Sequence, residues 1–496
     1  MADQIGSDSL RGRIASSLFW KFLERGGVAA GGLLVQVVLA RILTPEDFGA
    51  LAIMLVFVLI GTVFSVSGFN TALVQAKECD SIDYDTVFWI STVASVLLWL
   101  AVVFSAPWIA EAFDSPSMTN PLRVMGSVIF INSVYAVFSA DIQRNLAFRK
   151  IFNASFVALI VASISGIGSA LAGAGLWALV IYQVVNSVVN AIIVFTQISW
   201  RPRLRFSCDR ALRLFSFSWK LLVSALLDTC YQSLADIIIG RRFSTAALGV
   251  VSQGKRYPGA VAQVLDGAIQ PVMLSAVARV QKDPVAVKSL VRRALKTSVL
   301  AVVPLMVLLA VLAEPLVVWG LGKQWSGAVI YFQMYCFIYA LWPIHTTNLS
   351  ALNGVGRSDL FLKLEIVKKV VGLSILCVTV FAFNSPIAIV SGFMFSGILS
   401  AFINAFPSRR VIGYGYVDQL LDIVPIWGLA LISGTICSWI LSCLVINPPI
   451  SIVAGIFSFG TVFLVLGRVF RCEALMYLTG SLLNVLRRRE TVGRKR

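Results

Sequence analysis

Apolar runs of about 20 residues, the length that crosses a bilayer as a helix, recur from one end of this chain to the other. They lie near residues 17–40, 48–70, 86–106, 122–140, 152–172, 175–197, 215–239, 246–276, 297–313, 327–349, 361–383, 387–406, 423–445 and 450–467, about 14 in all. Polar residues interrupt the runs near 122–140 and 246–276 most strongly. Hydrophobic residues make up 58% of the chain and charged ones 13%, against roughly 25% charged in an average soluble domain. The expected fold is therefore an all-α polytopic membrane protein. The first run follows a polar tail, exceeds a signal-peptide core in length and lacks a small-residue cleavage site, so it reads as a retained helix.

Short loops rich in Lys and Arg stay in the cytoplasm, and this rule orients the set. With the N-terminus inside, the loops carrying Arg144, Arg149 and Lys150, the stretch RPRLR (201–205), the segment from Arg279 to Lys296, Arg357 with Lys363, Arg409 with Arg410, and the tail Arg487 to Arg489 share one side. About 34 of the basic residues fall inside and about 5 outside; Lys255 and Arg256 sit within a span. The net charge of +17 is thus accounted for by cytoplasmic loops beside anionic membrane lipids. No basic stretch outside the spans interleaves with aromatics, so nucleic acid is not an expected partner. External loops are short, the longest running from Pro107 to Pro121, which leaves no room for a soluble catalytic domain. The eight cysteines form no CxxC, and no His, Cys, Asp and Glu cluster has metal-ligand spacing, so neither a metal nor another cofactor is expected. Any chemistry sits among the helices.

An internal repeat organises them. SSLFWK (16–21) is followed after one helix by LTPEDFGAL (43–51), and SFSWK (216–220) is followed after one helix by FSTAALGVV (243–251), about 200 residues later. Six helices separate the copies, so both start on the same side of the membrane and the repeat is parallel, with its axis along the membrane normal. The expected domains are a six-helix bundle over 1–210, a second over 211–410, and two extra helices with a basic cytoplasmic tail over 411–496. Two such bundles make a transporter-like body whose substrate sits near mid-membrane.

The stretch GVVSQGKRYPG (249–259) comes close to a phosphate-binding loop, G-x-x-x-x-G-K-[ST], but Arg256 replaces the Ser or Thr that would hold magnesium, Pro258 follows, and the segment lies inside a span. Read as helix, Lys255 and Arg256 lie roughly 14 Å from the external end, near the midplane, where each charge costs about 2.5–3.5 kcal/mol. Two readings stand side by side. One is internal pairing with the preceding helix, which carries Lys220, Ser224, Asp228, Gln232 and Asp236 at intervals of four. The other is a cationic site for an anionic headgroup in a water-filled cleft. The first helix adds Glu24, Arg25 and Gln36, with Gly27 and Gly31 spaced as a small-residue packing face; Arg25 is also near enough to the cytoplasmic end to snorkel. His345 reads as a satisfied polar residue between helices or as a proton relay.

Family resemblance rests on several ordered motifs. GFNTALVQAKECDSIDYDTVFWIS (68–91), QRNLAFRK (143–150), GAGLWALVIYQVV (173–185), RPRLRFS (201–207), LGVVSQGKRY (248–257) and QPVMLSAVARVQKDPVAVKSLVRRAL (270–295) together resemble the polysaccharide transport proteins of the multidrug/oligosaccharidyl-lipid/polysaccharide superfamily, which includes the Wzx-type flippases. The resemblance covers most of residues 15 to 410. It implies alternating access by two six-helix bundles in the bacterial inner membrane, both termini cytoplasmic, and an undecaprenyl-diphosphate-linked oligosaccharide as substrate. It also implies working contacts with a polysaccharide polymerase and with chain-length and export proteins. Similarity to the lipid II flippases implies that Arg25 and Arg256 bind the diphosphate, with Lys255 beside them; Gln253-Gly254-Lys255 departs from the family's usual Arg-Ala and one further residue. Gln36, Asp228, Gln232 and Asp236 are the expected lining for the sugars.

Two rivals remain at this level. A drug or cation antiporter of the same superfamily would use Glu24, Asp228 or Asp236 for ion coupling, and coupling to H+ or Na+ stays open for the flippase as well. A membrane-embedded polysaccharide polymerase, an enzyme, would carry a large external loop with functional Arg or His, which this sequence lacks.

Overall fold

The computed structural model describes residues 20, 23–66, 73, 80–145, 147–444, 447–470, 472 and 475–476. Most of the SSLFWK motif, most of the loop from 67 to 79 and the basic tail lie outside the described residues. Every regular element within them is helical. A π-helical turn, Leu23–Val28, runs into α1, Ala29–Ile42. There follow α2 (Pro45–Val66), α3 (Ser81–Ala112), α4 (Thr119–Arg144), α5 (Phe148–Leu171), α6 (Leu176–Gln197), α7 (Cys208–Arg242) and α8 (Thr245–Val280). The remainder comprises α9 (Pro284–Val311), α10 (Ala328–Ala340), α11 (Trp342–Gly354), α12 (Ser358–Ala382), α13 (Pro386–Ala405), the short α14 (Ser408–Ile412), α15 (Tyr416–Cys443) and α16 (Pro448–Val469).

Among the described residues, 12 stretches are long and apolar enough to cross a membrane, with α10–α11 and α13–α14 each counting as one. The shorter α1 and the more charged α12 occupy the other two expected runs. The two polar-interrupted runs form unbroken helices, α4 and α8. In lipid the backbone must satisfy its own hydrogen bonds, so isolated polar side chains do not end a helix. Proline does interrupt one span: Pro343 lacks the N–H that would continue the ladder, and the run from 328 to 354 divides at Leu341.

The chain forms two compact units, Met1–Ser252 and Gln253–Arg496. In the first, α5 lies along α6, α4 lies against α3 and α6, α2 packs on α4 and α7, and α1 rests on α5. A Cβ at Gly31 would come within 2.6 Å of Leu159 Cδ2, whereas one at Gly27 would meet nothing within 4 Å. Among the described residues, Gly31 thus serves packing, and Gly27, which lies in the π turn, packs against none of them.

The N-terminal end of α3 holds the loop that joins α6 to α7. Asp85 Oδ1 accepts from the Arg203 backbone N–H at 3.0 Å, Trp89 Nε1 donates to Arg203 O at 2.8 Å, and Thr86 Oγ1 accepts from Ser207 N–H at 3.3 Å. Asp83, with 2% of its surface exposed, faces Arg210 at 3.1 Å and Arg213 at 3.2 Å. Donating hydrogen bonds to Asp80 and Asp83 holds the Arg210 guanidinium above its ordinary range. The motifs at 68–91 and 201–207 are thus two sides of one contact.

At the N-terminal ends of α2 and α8, the two glycines that the repeat places in register meet within the first unit. A Cβ on Gly49 would lie 1.7 Å from Thr245 O, and one on Gly249 would lie 1.9 Å from Pro45 O. Bare backbones touch here because neither position carries a side chain.

In the second unit α9 is central: α10, α11 and α15 pack on it, α15 pairs with α16, and α12 pairs with α13. A buried polar layer ties α11, α14 and α15 together. The Asn348 amide donates to Gln419 Oε1 at 2.9 Å, and Asn348 Oδ1 accepts from Gln419 Nε2 at 2.9 Å and Ser408 Oγ at 2.7 Å. Beside it Asp422 takes both arms of Arg292, at 2.6 and 2.7 Å, Lys296 at 3.0 Å and the Tyr414 hydroxyl at 2.8 Å. Burial, reinforced by the Asp422 charge, pushes the Tyr414 hydroxyl above its usual range, which keeps it a donor.

Candidate functional site

Helix α8 presses its glycines against α10. A Cβ at Gly254 would lie 2.6 Å from Tyr331 Cβ and 2.9 Å from the Phe332 nitrogen, and one at Gly259 would lie 2.9 Å from the Tyr339 hydroxyl. Between them Pro258 leaves the Gly254 carbonyl without its helical donor. This close seat positions Lys255 and Arg256, both half-buried, about 100° apart around the helix.

Beside them are polar groups with no partner among the described residues. Gln253 is 1% exposed, yet neither its Oε1 nor its Nε2 forms a hydrogen bond, and the buried Tyr257 hydroxyl has none either. Its ring stacks on Phe332 at a centroid distance of 6.5 Å. Gln253, Arg256 and Tyr257 stand at i, i+3 and i+4 and share one side of α8, with Lys255 turned away from Gln253. Sequence reasoning singled out the cations and missed Gln253 and Tyr257; a glutamine inside an apolar run, one turn before an arginine, was the available signal. An unsatisfied buried amide costs about 1–3 kcal/mol per group, so a ligand bearing both donors and acceptors gains by binding here.

The other expected residues lie in the first unit. Gln36 is buried in α1 at 4% exposure, and its Oε1 has no partner among the described residues. Asp228 and Gln232 meet on α7, where Gln232 Nε2 donates to Asp228 Oδ2 at 2.7 Å, and Asp236 follows on the same helix. Asp228, Asp236, Lys255 and Arg256 each take part in further interactions. Glu24 and Arg25 belong to the π turn, but their side chains lie outside the described residues. His345 is held by Asn404, whose amide nitrogen lies 3.0 Å from Nδ1, which is the arrangement of a satisfied polar residue. Among the described residues, no three His, Cys, Asp or Glu side chains gather as metal ligands.

Residues 38–330 match the family described as polysaccharide biosynthesis protein. The chain is 24% identical over 344 residues to the succinoglycan biosynthesis transport protein ExoT of Rhizobium meliloti (strain 1021), covering 69% of this chain and 70% of the relative. It is 20% identical over 422 residues to the lipopolysaccharide biosynthesis protein WzxC of Escherichia coli (strain K12), covering 84% and 85%. Among solved structures it superposes on the lipid II flippase MurJ in an inward closed conformation with a TM-score of 0.73, at 13% identity, over 92% of this chain and 99% of that one. An inward-facing multidrug resistance transporter of the MATE family gives a TM-score of 0.59 at 15% identity, over 79% and 98%. These structural likenesses define the fold.

Proposed function

Because this chain belongs to the polysaccharide biosynthesis protein family, we propose that it is a flippase which moves lipid-linked oligosaccharide repeat units across the bacterial inner membrane. It is a transporter and not an enzyme, a reading supported by the name of its relative ExoT, a succinoglycan biosynthesis transport protein. The observation that carries the substrate reading is local. A cationic pair within a membrane helix stands beside a buried glutamine amide and a tyrosine hydroxyl that no described residue satisfies.

A diphosphate crossing hydrocarbon unaided faces a barrier of tens of kcal/mol. Arg256 lowers it by charge-assisted hydrogen bonds to phosphate oxygens, with Gln253 and Tyr257 donating from the same side of α8. Lys255 adds charge from the adjoining side of α8, and the family resemblance adds Arg25 as a third cation. Gln36, Asp228, Gln232 and Asp236 offer hydrogen bonds to sugar hydroxyls while the lipid tail stays in the bilayer. In this reading the repeat bundles are 1–210 and 211–410, residues 411–496 add two helices and a basic tail, and both termini face the cytoplasm. A polymerase and chain-length and export proteins then act on the delivered units.

The test follows lipid-linked oligosaccharide in cells that lack the protein, complemented by wild type, Arg256→Ala or Lys255→Ala at matched membrane abundance. Arg256→Ala is expected to slow clearance of the cytoplasm-facing intermediate about tenfold to a hundredfold, the loss of one or two hydrogen bonds to a charged group. Lys255→Ala should lose less. Equal clearance in the null and wild-type cells would remove the flippase reading for that glycan, and clearance by Arg256→Ala at the wild-type rate would make the pair structural.

A further inference from the structure

The two orphaned side chains of α8 ask for different partners. The Tyr257 hydroxyl can donate or accept, whereas the Gln253 carboxamide holds an acceptor, Oε1, and a donor, Nε2, side by side in one plane. Neither end of that amide forms a hydrogen bond among the described residues, although Gln253 is only 1% exposed. Tyr257 stands one turn further along and leaves its own hydroxyl unbonded instead of satisfying Gln253. The seat of Gly254 on Tyr331 and Phe332 holds the amide where it is.

A diphosphate that joins a lipid to a sugar is an acceptor throughout. Each phosphorus bears a negative charge, no P–OH remains, and the free oxygens take hydrogen bonds without returning any. Such a group satisfies Nε2 of Gln253 and the Tyr257 hydroxyl but leaves Oε1 an acceptor without a donor. In a glycosyl diphosphate the donor nearest the phosphates is the group on C2 of the first sugar, next to the anomeric carbon that carries the diphosphate. Gln253 lies about 4.5 Å along α8 from Arg256, a separation that neighbouring groups of one ligand can span.

Resting on the flippase reading, we propose that Gln253 reads the first sugar of the substrate: Oε1 accepts from a hydroxyl or amide N–H at C2 while Nε2 holds the adjoining phosphate. Sugars with a hydroxyl or acylamino group at C2 are thereby favoured over 2-deoxy sugars, and a lipid diphosphate without sugar is held only in part. At 1% exposure the amide meets sugar only after α8 moves from its present seat, and because it forms no hydrogen bond there with any described residue, the movement forfeits none. A ligand that satisfies both ends of the amide favours the moved conformation over this one.

The full-length protein, purified and reconstituted in lipid nanodiscs, is tested for binding of undecaprenyl diphosphate, of the same lipid carrying glucose, and of the same lipid carrying 2-deoxyglucose. Wild type is expected to bind the glucose form about tenfold to a hundredfold more tightly than the 2-deoxy form. Gln253→Leu should bring those two affinities within about twofold of each other, since the comparison isolates the single contact. Arg256→Ala should weaken all three probes and keep the preference. Leucine replaces an amide that bonds no described residue, so the variant is expected to fold, and a ratio of affinities is not erased by a general loosening of the site. Equal affinities of wild type for the two glycosylated probes, or a Gln253→Leu variant that keeps the full preference, would overturn the assignment while leaving the headgroup reading in place. Failure of monodisperse wild type to bind any of the three would remove the headgroup reading and this one together.

Discussion

Gly249→Ala and Gly49→Ala are each expected to lower stability by about 3 kcal/mol, the upper end of overpacking costs. The blocking atoms are backbone carbonyls, Pro45 O at 1.9 Å and Thr245 O at 1.7 Å from the added Cβ, and a carbonyl cannot turn aside as a flexible side chain can. Real Cβ contacts essentially never fall below 3.0 Å, so α2 and α8 must separate by more than about 1 Å, loosening the close-packed side chains around them. Phe48, Ile53, Leu248 and Val251 are all at most 2% exposed there. Thermal unfolding of the purified variants measures the loss. The double variant carries the sharper expectation: once one methyl has parted the helices, the second meets less resistance, so the combined cost should fall short of the sum by about 1 kcal/mol or more. Additive costs, or midpoints unchanged from wild type, would mean that the two helices do not cross at these glycines.

Asp422→Ala is expected to cost about 3 kcal/mol, the lower end for breaking a buried ion pair, because Arg292 is 52% exposed and regains water. Lys296, at 17% exposure, has less access to solvent and bears more of the penalty. The Tyr414 hydroxyl also loses its acceptor. Asp422→Asn, which keeps an acceptor for Tyr414 but not the charge, should fall between. Adding Lys296→Met to Asp422→Ala removes the stranded ammonium and should recover part of the loss. Denaturation of the purified proteins reads this series; if Lys296→Met deepened the loss instead, the ammonium would have found another partner and the ion-pair account would fail.

The candidate site was partly legible in the sequence. Two cations in an apolar run stand out because each is costly there, and their depth follows from counting residues along a helix. Gln253 and Tyr257 were less visible, since a buried, unsatisfied amide is a property of what surrounds it and not of its residue type. Charge alone places the basic stretch at 201–205 in a cytoplasmic loop. The structure adds that its backbone is gripped by Asp85, Thr86 and Trp89, more than a hundred residues earlier in the chain.

Sequence alone determined that the chain is all-helical and polytopic and where most of its membrane helices run, and it carries a visible repeat. Insertion into lipid depends on the apolar content and length of each segment by itself, so a local pattern is sufficient. Tertiary structure decided which helix faces meet. The shared glycine of LTPEDFGAL and FSTAALGVV is visible as a repeated letter, but only packing reveals that the two copies touch each other. Gly27 and Gly31 are spaced alike, and only packing shows that one supports a helix contact while the other does not. Contacts between helices distant in sequence depend on rotation and crossing as well as composition, and those quantities are set by all the neighbours at once.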